Sequence, residues 1–351
     1  MDIYKIVLTG GPCAGKTTVI NQIRKELSKD YYIVTIPETA TELINSGILP
    51  DNNKEHTLKF QEIVLFSQML KECNALEYLE SLKQNNIDFI KQKKGMIILY
   101  DRGIMDNRAY LSHQDYNDLL AHNELNELEV MDRYDLVIDL ISTATTKPEV
   151  YGLNGVRYET IEEAAYKDEL TSGAWLLHRN LEVVKPTETI KEKIEIVLKH
   201  IYDLLNGIYQ KEMLEFEVDE ENTDFSYFNI NNSRIMNLKT FTLKTYSGLD
   251  LIVEKRMYNG NISFILKRID LSSDVPKILE SFPIDYDTYS EILTTSFLKD
   301  IKEVGILKFI HKGNVFTLIK DSESLKLVTT PDNINEIPNN IVLKKQKIFT
   351  K

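Results

Sequence analysis

Cysteine is nearly absent: only Cys13 and Cys73 stand in 351 residues. Two thiols cannot build a disulfide framework, and no Cys/His spacing of the zinc type accompanies them. The reducing cytoplasm is therefore the expected compartment. Long apolar runs are missing too, since no stretch approaches the ~20 residues that span a bilayer. The chain runs at once into an apolar strand pattern, which leaves a signal peptide outside the expectation. Positive charge is scarce: 42 Lys and Arg face 54 Asp and Glu, for a net charge of −12. A protein that wraps nucleic acid is seldom this acidic. The deficit is uneven, because residues 225–351 carry 18 basic against 14 acidic side chains, whereas 1–210 carry 23 against 33 and 211–224 carry 1 against 7. No repeat or low-complexity tract is evident, and the length suits about two domains.

What is present is concentrated near the start. The apolar run Ile6 to Leu8 leads into Gly10-Gly11-Pro12-Cys13-Ala14-Gly15-Lys16-Thr17, and a helical pattern follows immediately. Strand, glycine-rich loop and helix in that order match G-x-x-x-x-G-K-[ST], the phosphate loop. Gly10 and Gly15 let the backbone curl so that successive N–H groups face a phosphate. The helix beginning near Lys16 adds its positive end. Gly10 to Thr18 are thus the expected nucleotide contacts, with Lys16 reaching the β- and γ-phosphates and the Thr17 hydroxyl holding Mg²⁺.

The following stretches supply candidate partners for that loop. Tyr31 to Ile36 reads as a strand ending at Pro37-Glu38, which sets Glu38 at a carboxyl end, where open parallel sheets bind ligands. There it could accept a proton from a hydroxyl or hold a metal-bound water. Residues 55–84 read as a long helix, with Leu58, Ile63, Phe66, Met69, Leu70, Leu76 and Leu79 as its core stripe. Met96 to Tyr100 is a strand buried on both faces that ends in Asp101-Arg102-Gly103. Asp101 is placed to organise the magnesium shell, and Arg102 to bind a phosphate or substrate oxygen. A helical stretch from Ile104 to Leu120 carries Asp106 and Arg108, read equally as cleft support or surface. Leu136 to Leu140 is a further strand. The polar segment 142–158 suits a lid, from which Arg157 could close over a transferring phosphoryl group. A helix from Glu159 to His178, a strand Leu181 to Val184, and a helix capped by Thr189 and Glu192 complete a first domain, 1–210.

The remainder, 211–351, changes period. Leu214 to Val218 alternates strictly, with Glu215 and Glu217 on one face. Asn259-Gly260 joins two alternating strands, the strongest short hairpin signal. Pairing across it puts Glu254, Arg256, Ser263 and Lys267 on one face. Glu217, Glu254, Arg256 and Lys267 together form a candidate anion site, the acids holding the ligand's metal ion. A second hairpin is expected to turn near Gly313-Asn314, and a helix over Tyr286 to Phe297.

Taken together, VLTGGPCAGKTT, IPETATEL, ILYDRGIMD, RYDLVIDLIS and the AW-x-x-H at Ala174 to His178 resemble the TRPL translocation defect protein family. Its members join a kinase-like phosphate-loop domain to a divergent triphosphate-tunnel, or CYTH-like, domain. The resemblance is specific over about 4–207 and is mostly an order of strands over 211–351. It implies ATP or GTP binding and, in some members, phosphoinositide binding. It also implies kinship of the first domain with deoxynucleoside, thymidylate and ribosylnicotinamide kinases, whose base, metal-organising acid and substrate arginine fall at Glu38, Asp101 and Arg102. One departure stands out. Triphosphate-tunnel enzymes open with E-x-E-x-K, whereas Glu215-Phe216-Glu217-Val218-Asp219 has an acid in the lysine position.

The expected fold class is therefore α/β: a kinase-like P-loop domain with a parallel sheet flanked by helices, then a mainly antiparallel α+β, CYTH-like domain. Two functions are carried forward. One is a Mg²⁺-dependent phosphotransferase using ATP or GTP on a small nucleoside, nucleotide or other hydroxyl- or phosphate-bearing metabolite. The other is a nucleotide-gated module whose C-terminal domain binds a phosphorylated ligand or a protein.

Overall fold

The computed structural model describes the chain apart from residues 1, 13, 52, 86, 143–159, 209–211, 230, 271–276 and 348–351. It divides into two compact units, Met1–Tyr202 and Asp203–Lys351. Among the described residues no helix is long and apolar enough to cross a membrane.

The first unit is a five-stranded sheet of β1 (Ile3–Thr9), β2 (Tyr31–Ile36), β3 (Gly95–Asp101), β4 (Leu136–Leu140) and β5 (Leu181–Val184), ordered β2-β3-β1-β4-β5. All pairs run parallel. The central strands are apolar because both faces are covered: Ile6, Val7 and Leu8, Ile97 to Leu99, and Val137 and Ile138 have no exposed surface. Helix α1 (Lys16–Leu27) follows the loop after β1 and buries Val19, Ile20, Ile23 and Leu27. Then come α2 (Thr39–Asn45), α3 (Lys54–Gln84) and the short α4 (Asp88–Lys91). After β3, residues Ile104–Tyr110 form a 3₁₀ helix, and α5 (His113–His122) and α6 (Glu127–Asp132) precede β4. Helix α7 (Ile161–Ala174) opens with a capping box, Thr160 and Glu163 exchanging bonds with each other's backbone. Helix α8 (Ile190–Leu205) follows β5.

Two expectations need correction here. The buried face of α3 is not the stripe chosen from hydrophobicity, since Phe66, Leu70 and Leu76 are exposed. The face that is covered consists of Phe60, Gln61, Val64, Leu65, Gln68, Glu72, Leu79 and Leu82. Three of these are polar, and a hydrophobic stripe does not show them because their partners lie far away in sequence. Glu72 accepts from Arg133 Nε at 3.0 Å and from the Tyr134 hydroxyl, and Gln68 Oε1 accepts from Thr39. The expected helix Ile104 to Leu120 is in fact two elements, separated at Leu111-Ser112, where the Ser112 hydroxyl caps α5.

The second unit is one antiparallel sheet of nine strands. These are β6 (Leu214–Val218), β7 (Ser233–Thr245), β8 (Asp250–Tyr258), β9 (Asn261–Asp270), β10 (Lys277–Ile284), β11 (Ser296–His311), β12 (Asn314–Lys320), β13 (Leu325–Thr329) and β14 (Leu343–Lys347), with α9 (Tyr286–Thr295) between β10 and β11. Their order is β10-β9-β8-β7-β11-β12-β13-β6-β14. Tyr258 pairs with Asn261 across Asn259 (φ 47°) and Gly260 (φ 77°), both left-handed as a two-residue hairpin turn demands. The second hairpin turns one residue earlier than expected, at Lys312-Gly313, with His311 opposite Asn314. Apolar side chains collect on one face in two clusters: Leu214, Phe216, Phe309, Phe316 and Leu327 in one, Phe241, Leu243, Leu251 and Val253 in the other.

Candidate phosphate-loop site

The phosphate loop starts where β1 ends, in the middle of the sheet, with Leu8 opposite Asp101 of β3 and Thr9 opposite Asp139 of β4. The register thus delivers three strand ends to one place. Gly10 is required by close approach, because a β-carbon there would lie 2.1 Å from the Leu140 carbonyl oxygen, and its φ is +130°. Gly15 takes φ 86° and stands at the N-terminus of α1. Lys16 folds back on its own loop, donating to the Gly10 and Gly11 carbonyls at 2.8 and 3.0 Å. Thr17 and Thr18 are exposed at the start of α1, and Pro12 and Ala14 line the curl between. Cys13 and Arg157 lie outside the described residues.

Charge is dense around this loop. The Arg102 Nε donates to Glu38 Oε1 at 2.5 Å, and the Thr41 hydroxyl donates to Oε2 at 2.8 Å. Burial alone would raise the Glu38 carboxyl, but Arg102, Thr41 and Lys16 outweigh it and hold it below the usual carboxylate range. Glu38 is thus an anion at neutral pH. Arg102 has φ 71°, a left-handed conformation that a non-glycine residue adopts only when its surroundings fix it. Burial raises the Asp101 carboxyl, with Lys16 pulling the other way. The Asp101 Oδ1 is buried without a hydrogen-bond partner. Such an oxygen fits a magnesium ion or a water bound to one.

Several groups at the site carried little or no sequence signal. Asp106 is buried: it accepts from the Thr9 hydroxyl, from the Gly103 N–H at 2.7 Å and from Trp175 Nε1 at 3.4 Å. Trp175 of the AW-x-x-H motif is therefore structural, and a β-carbon on Gly103 would strike its ring at 2.7 Å. Arg108 turns away and pairs with Glu127 inside the fold. Asp139 is fully buried. Its carboxyl is pushed up to about 8, first by burial and then by the neighbouring Asp168. Lys193 of α8 donates to the Ala14 carbonyl at 3.0 Å.

Beside Glu38 and Arg102 opens a pocket of about 330 Å³, lined by Thr39, Ile44, Phe60, Gln61, Asn107 and Tyr110 among others. Of the residues expected to form an anion site in the second unit, Lys267 is paired with Glu254. Arg256 is 3% exposed and donates to Ser263 Oγ at 2.9 Å. Strand register puts Glu254, Arg256, Ser263 and Lys267 on one face. Glu217 lies on β6, opposite Lys326 of β13, so the structure does not bring it beside Arg256 within the sheet order.

A family model described as an AAA domain, AAA_28, matches residues 5–193. The chain belongs to that family. Residues 5–193 of this AAA_28 member are accordingly a P-loop nucleotide-binding domain. The chain is also similar to a solved structure titled "Structure of PH1819 protein from Pyrococcus Horikoshii OT3". That match has 16% identity and a TM-score of 0.26, over 36% of this chain and 82% of that one. No curated protein matches the chain.

Lys16 yields a pH prediction. Burial, then Arg102, lower its ammonium to about 8, although Glu38, Asp101 and Asp106 act in the opposite sense. Phosphate oxygens beside it favour the charged form, so above pH 8 nucleotide binding must take up a proton. Affinity is expected to be insensitive to this group below pH 7 and to fall by up to about tenfold per pH unit above 8. Calorimetry in buffers of different ionisation enthalpy should find proton uptake at pH 9. Constant affinity from pH 7 to 9.5 would place the Lys16 proton elsewhere.

Proposed function

We propose that the N-terminal unit is a phosphotransferase that moves a phosphoryl group from ATP or GTP to a small acceptor in the pocket beside Glu38. The observation that carries this reading is the Glu38–Arg102 pair, which stands between the phosphate loop and the pocket. A nucleotide-hydrolysing motor needs no second small-molecule cavity there; a kinase does. The acceptor hydroxyl or phosphate would approach Glu38, which is ionised and fixed by two donors. Phosphoryl transfer is loose and mostly a matter of positioning and charge, so an acid of low proton affinity suffices to orient the attacking oxygen. Arg102 would neutralise charge on the acceptor or the transferring group. Lys16 would hold the β- and γ-phosphates. Magnesium, held by Thr17 and Asp101, would supply charge neutralisation at the phosphates.

The pocket supports an acceptor of nucleoside size. Phe60 is apolar and buried, and the buried Gln61 sends its backbone carbonyl to Asn107. An aromatic wall with amide groups suits a flat heterocycle bearing hydrogen-bonding edges. The resemblance of VLTGGPCAGKTT and ILYDRGIMD to the kinase-like domain of the TRPL family, and its kinship with nucleoside kinases, points the same way.

Substituting Glu38 by Gln keeps size and hydrogen bonding but removes the charge. With an acceptor found by screening nucleosides and nucleotides for ATP consumption, turnover should drop by roughly 10²–10⁴ while nucleotide affinity changes little. Full turnover in E38Q would reduce Glu38 to a residue that begins α2.

A second reading concerns the other unit and is favoured by one observation: two arginines are buried on the face of its sheet opposite the apolar clusters. Register places Arg234, Arg256 and Lys267 on the face opposite the apolar clusters, and Arg234 and Arg256 are 5% and 3% exposed. Buried guanidinium groups suit a polyanion such as a triphosphate or a phosphoinositide headgroup. This would make the protein a nucleotide-gated, CYTH-like binding module. Arg256→Ala with Lys267→Ala, made in a Lys16→Ala chain to silence the phosphate loop, should weaken tripolyphosphate binding at least tenfold and flatten its salt dependence. A Lys16→Ala chain that folds but binds neither tripolyphosphate nor phosphoinositide removes the anion site.

A further inference from the structure

The phosphate-loop motif does not explain what keeps the loop curled when no phosphate is there. Its residues Gly11, Pro12 and Ala14 are each gripped from outside the motif. The Gly11 N–H donates to Asp168 Oδ1 at 2.7 Å. The Ser142 hydroxyl, just past β4, donates to the Pro12 carbonyl at 2.6 Å, and Lys193 of α8 donates to the Ala14 carbonyl at 3.0 Å. Asp168 also receives the Ser142 N–H, at 3.2 Å on Oδ1 and 3.1 Å on Oδ2. One carboxylate of α7 therefore ties the loop to the end of β4, although it lies 157 residues from Gly11 in the chain.

A second, independent observation isolates this contact. Gly11 does not take a left-handed φ, so its backbone would accept an alanine. What forbids a side chain is Asp168, since a β-carbon on Gly11 would lie 2.5 Å from Oδ1 and 2.8 Å from the Asp168 β-carbon. The glycine is there for the carboxylate. Asp168 has no exposed surface, and a charge so buried costs several kcal/mol unless its bonds compensate. A merely structural staple would be cheaper if it were neutral. The carboxylate presents an oxygen on either side, Oδ1 to the Gly11 N–H and both oxygens to the Ser142 N–H, whereas the neutral amide of the same size would turn an NH₂ group toward one of these donors.

We propose that Asp168 is a positioning residue that holds the phosphate loop in its nucleotide-receiving curl before nucleotide arrives; this rests on the loop being the nucleotide site. It touches neither phosphate nor acceptor and acts through the loop's backbone. Its contribution is preorganisation: apparent affinity falls in proportion to the fraction of loops that are correctly curled. Ser142 and Lys193 assist at Pro12 and Ala14.

Two substitutions in the full chain test this, with Mg-ATP and Mg-GTP as the probes. In Asp168→Asn only one oxygen remains, and an NH₂ group faces an N–H donor. Nucleotide affinity is expected to fall at least tenfold, while the melting temperature without nucleotide stays the same or rises as a buried charge is removed. In Gly11→Ala the new methyl displaces the carboxylate, and the same affinity loss is expected without change of charge. Gly11→Ala leaves the Asp168 carboxylate itself in the chain, so it remains informative if Asp168→Asn does not fold. Wild-type affinity in either folded variant would overturn the assignment. A fall in the nucleotide-free melting temperature that matches the affinity loss would also overturn it, in favour of a structural staple. If the unsubstituted protein bound neither nucleotide, the phosphate-loop reading itself would fall, a result distinct from both.

Discussion

The ammonium of Lys16, lying on the Gly10 and Gly11 carbonyls, is the interaction around which the first unit is arranged. A half-buried positive charge at the carboxyl edge of a sheet must be matched by acceptors and anions, because desolvation works against it. The loop's carbonyls supply the acceptors. Glu38, Asp101 and Asp106 supply the anions, from the end of β2, the end of β3 and the 3₁₀ helix after it. Arg102 then balances Glu38 and Asp106. Each of these charges is costly alone, and together they form a site whose sum is close to neutral and which gains when phosphate displaces the carbonyls from Lys16. The parallel strand order explains why they meet, since β3, β1 and β4 are neighbours and all point their carboxyl ends the same way.

Much of this was legible in the sequence because it is local. The loop, β4 and β5 follow from short apolar runs and glycine spacing, and both hairpins of the second sheet follow from turn chemistry. Glu38, Asp101 and Arg102 could be placed because each sits immediately after a readable strand. The unreadable part is long-range. Asp168 looks like one more acid on an exposed helix until α7 is laid against Gly11. Asp139 looks like a break in an apolar strand, and Lys193 like one lysine of an amphipathic helix. On α3 the hydrophobic stripe misled because Gln61, Gln68 and Glu72 face inward toward partners 29 to 62 residues away. Polar residues that satisfy each other inside a fold leave no periodic trace.

The second sheet shows the opposite balance. Its apolar face holds two core clusters, and alternation locates β6, β8, β9 and the paired parts of β11 and β12. Its other face buries Arg234 and Arg256 together with Met236, Ile265, Ile269 and Ile306, so it mixes charge with aliphatic side chains. β7, β10, β13 and β14 have no counterpart among the sequence expectations; they are fixed by pairing with their neighbours in the sheet.

The central claim is that Lys16 and its loop bind a nucleotide, and one titration addresses it directly. Lys16→Ala removes a cleft charge and leaves the apolar core intact, so circular dichroism should show the parent fold. The account predicts that high-affinity Mg-ATP or Mg-GTP binding disappears in that folded variant. Unchanged nucleotide affinity in folded Lys16→Ala would contradict it.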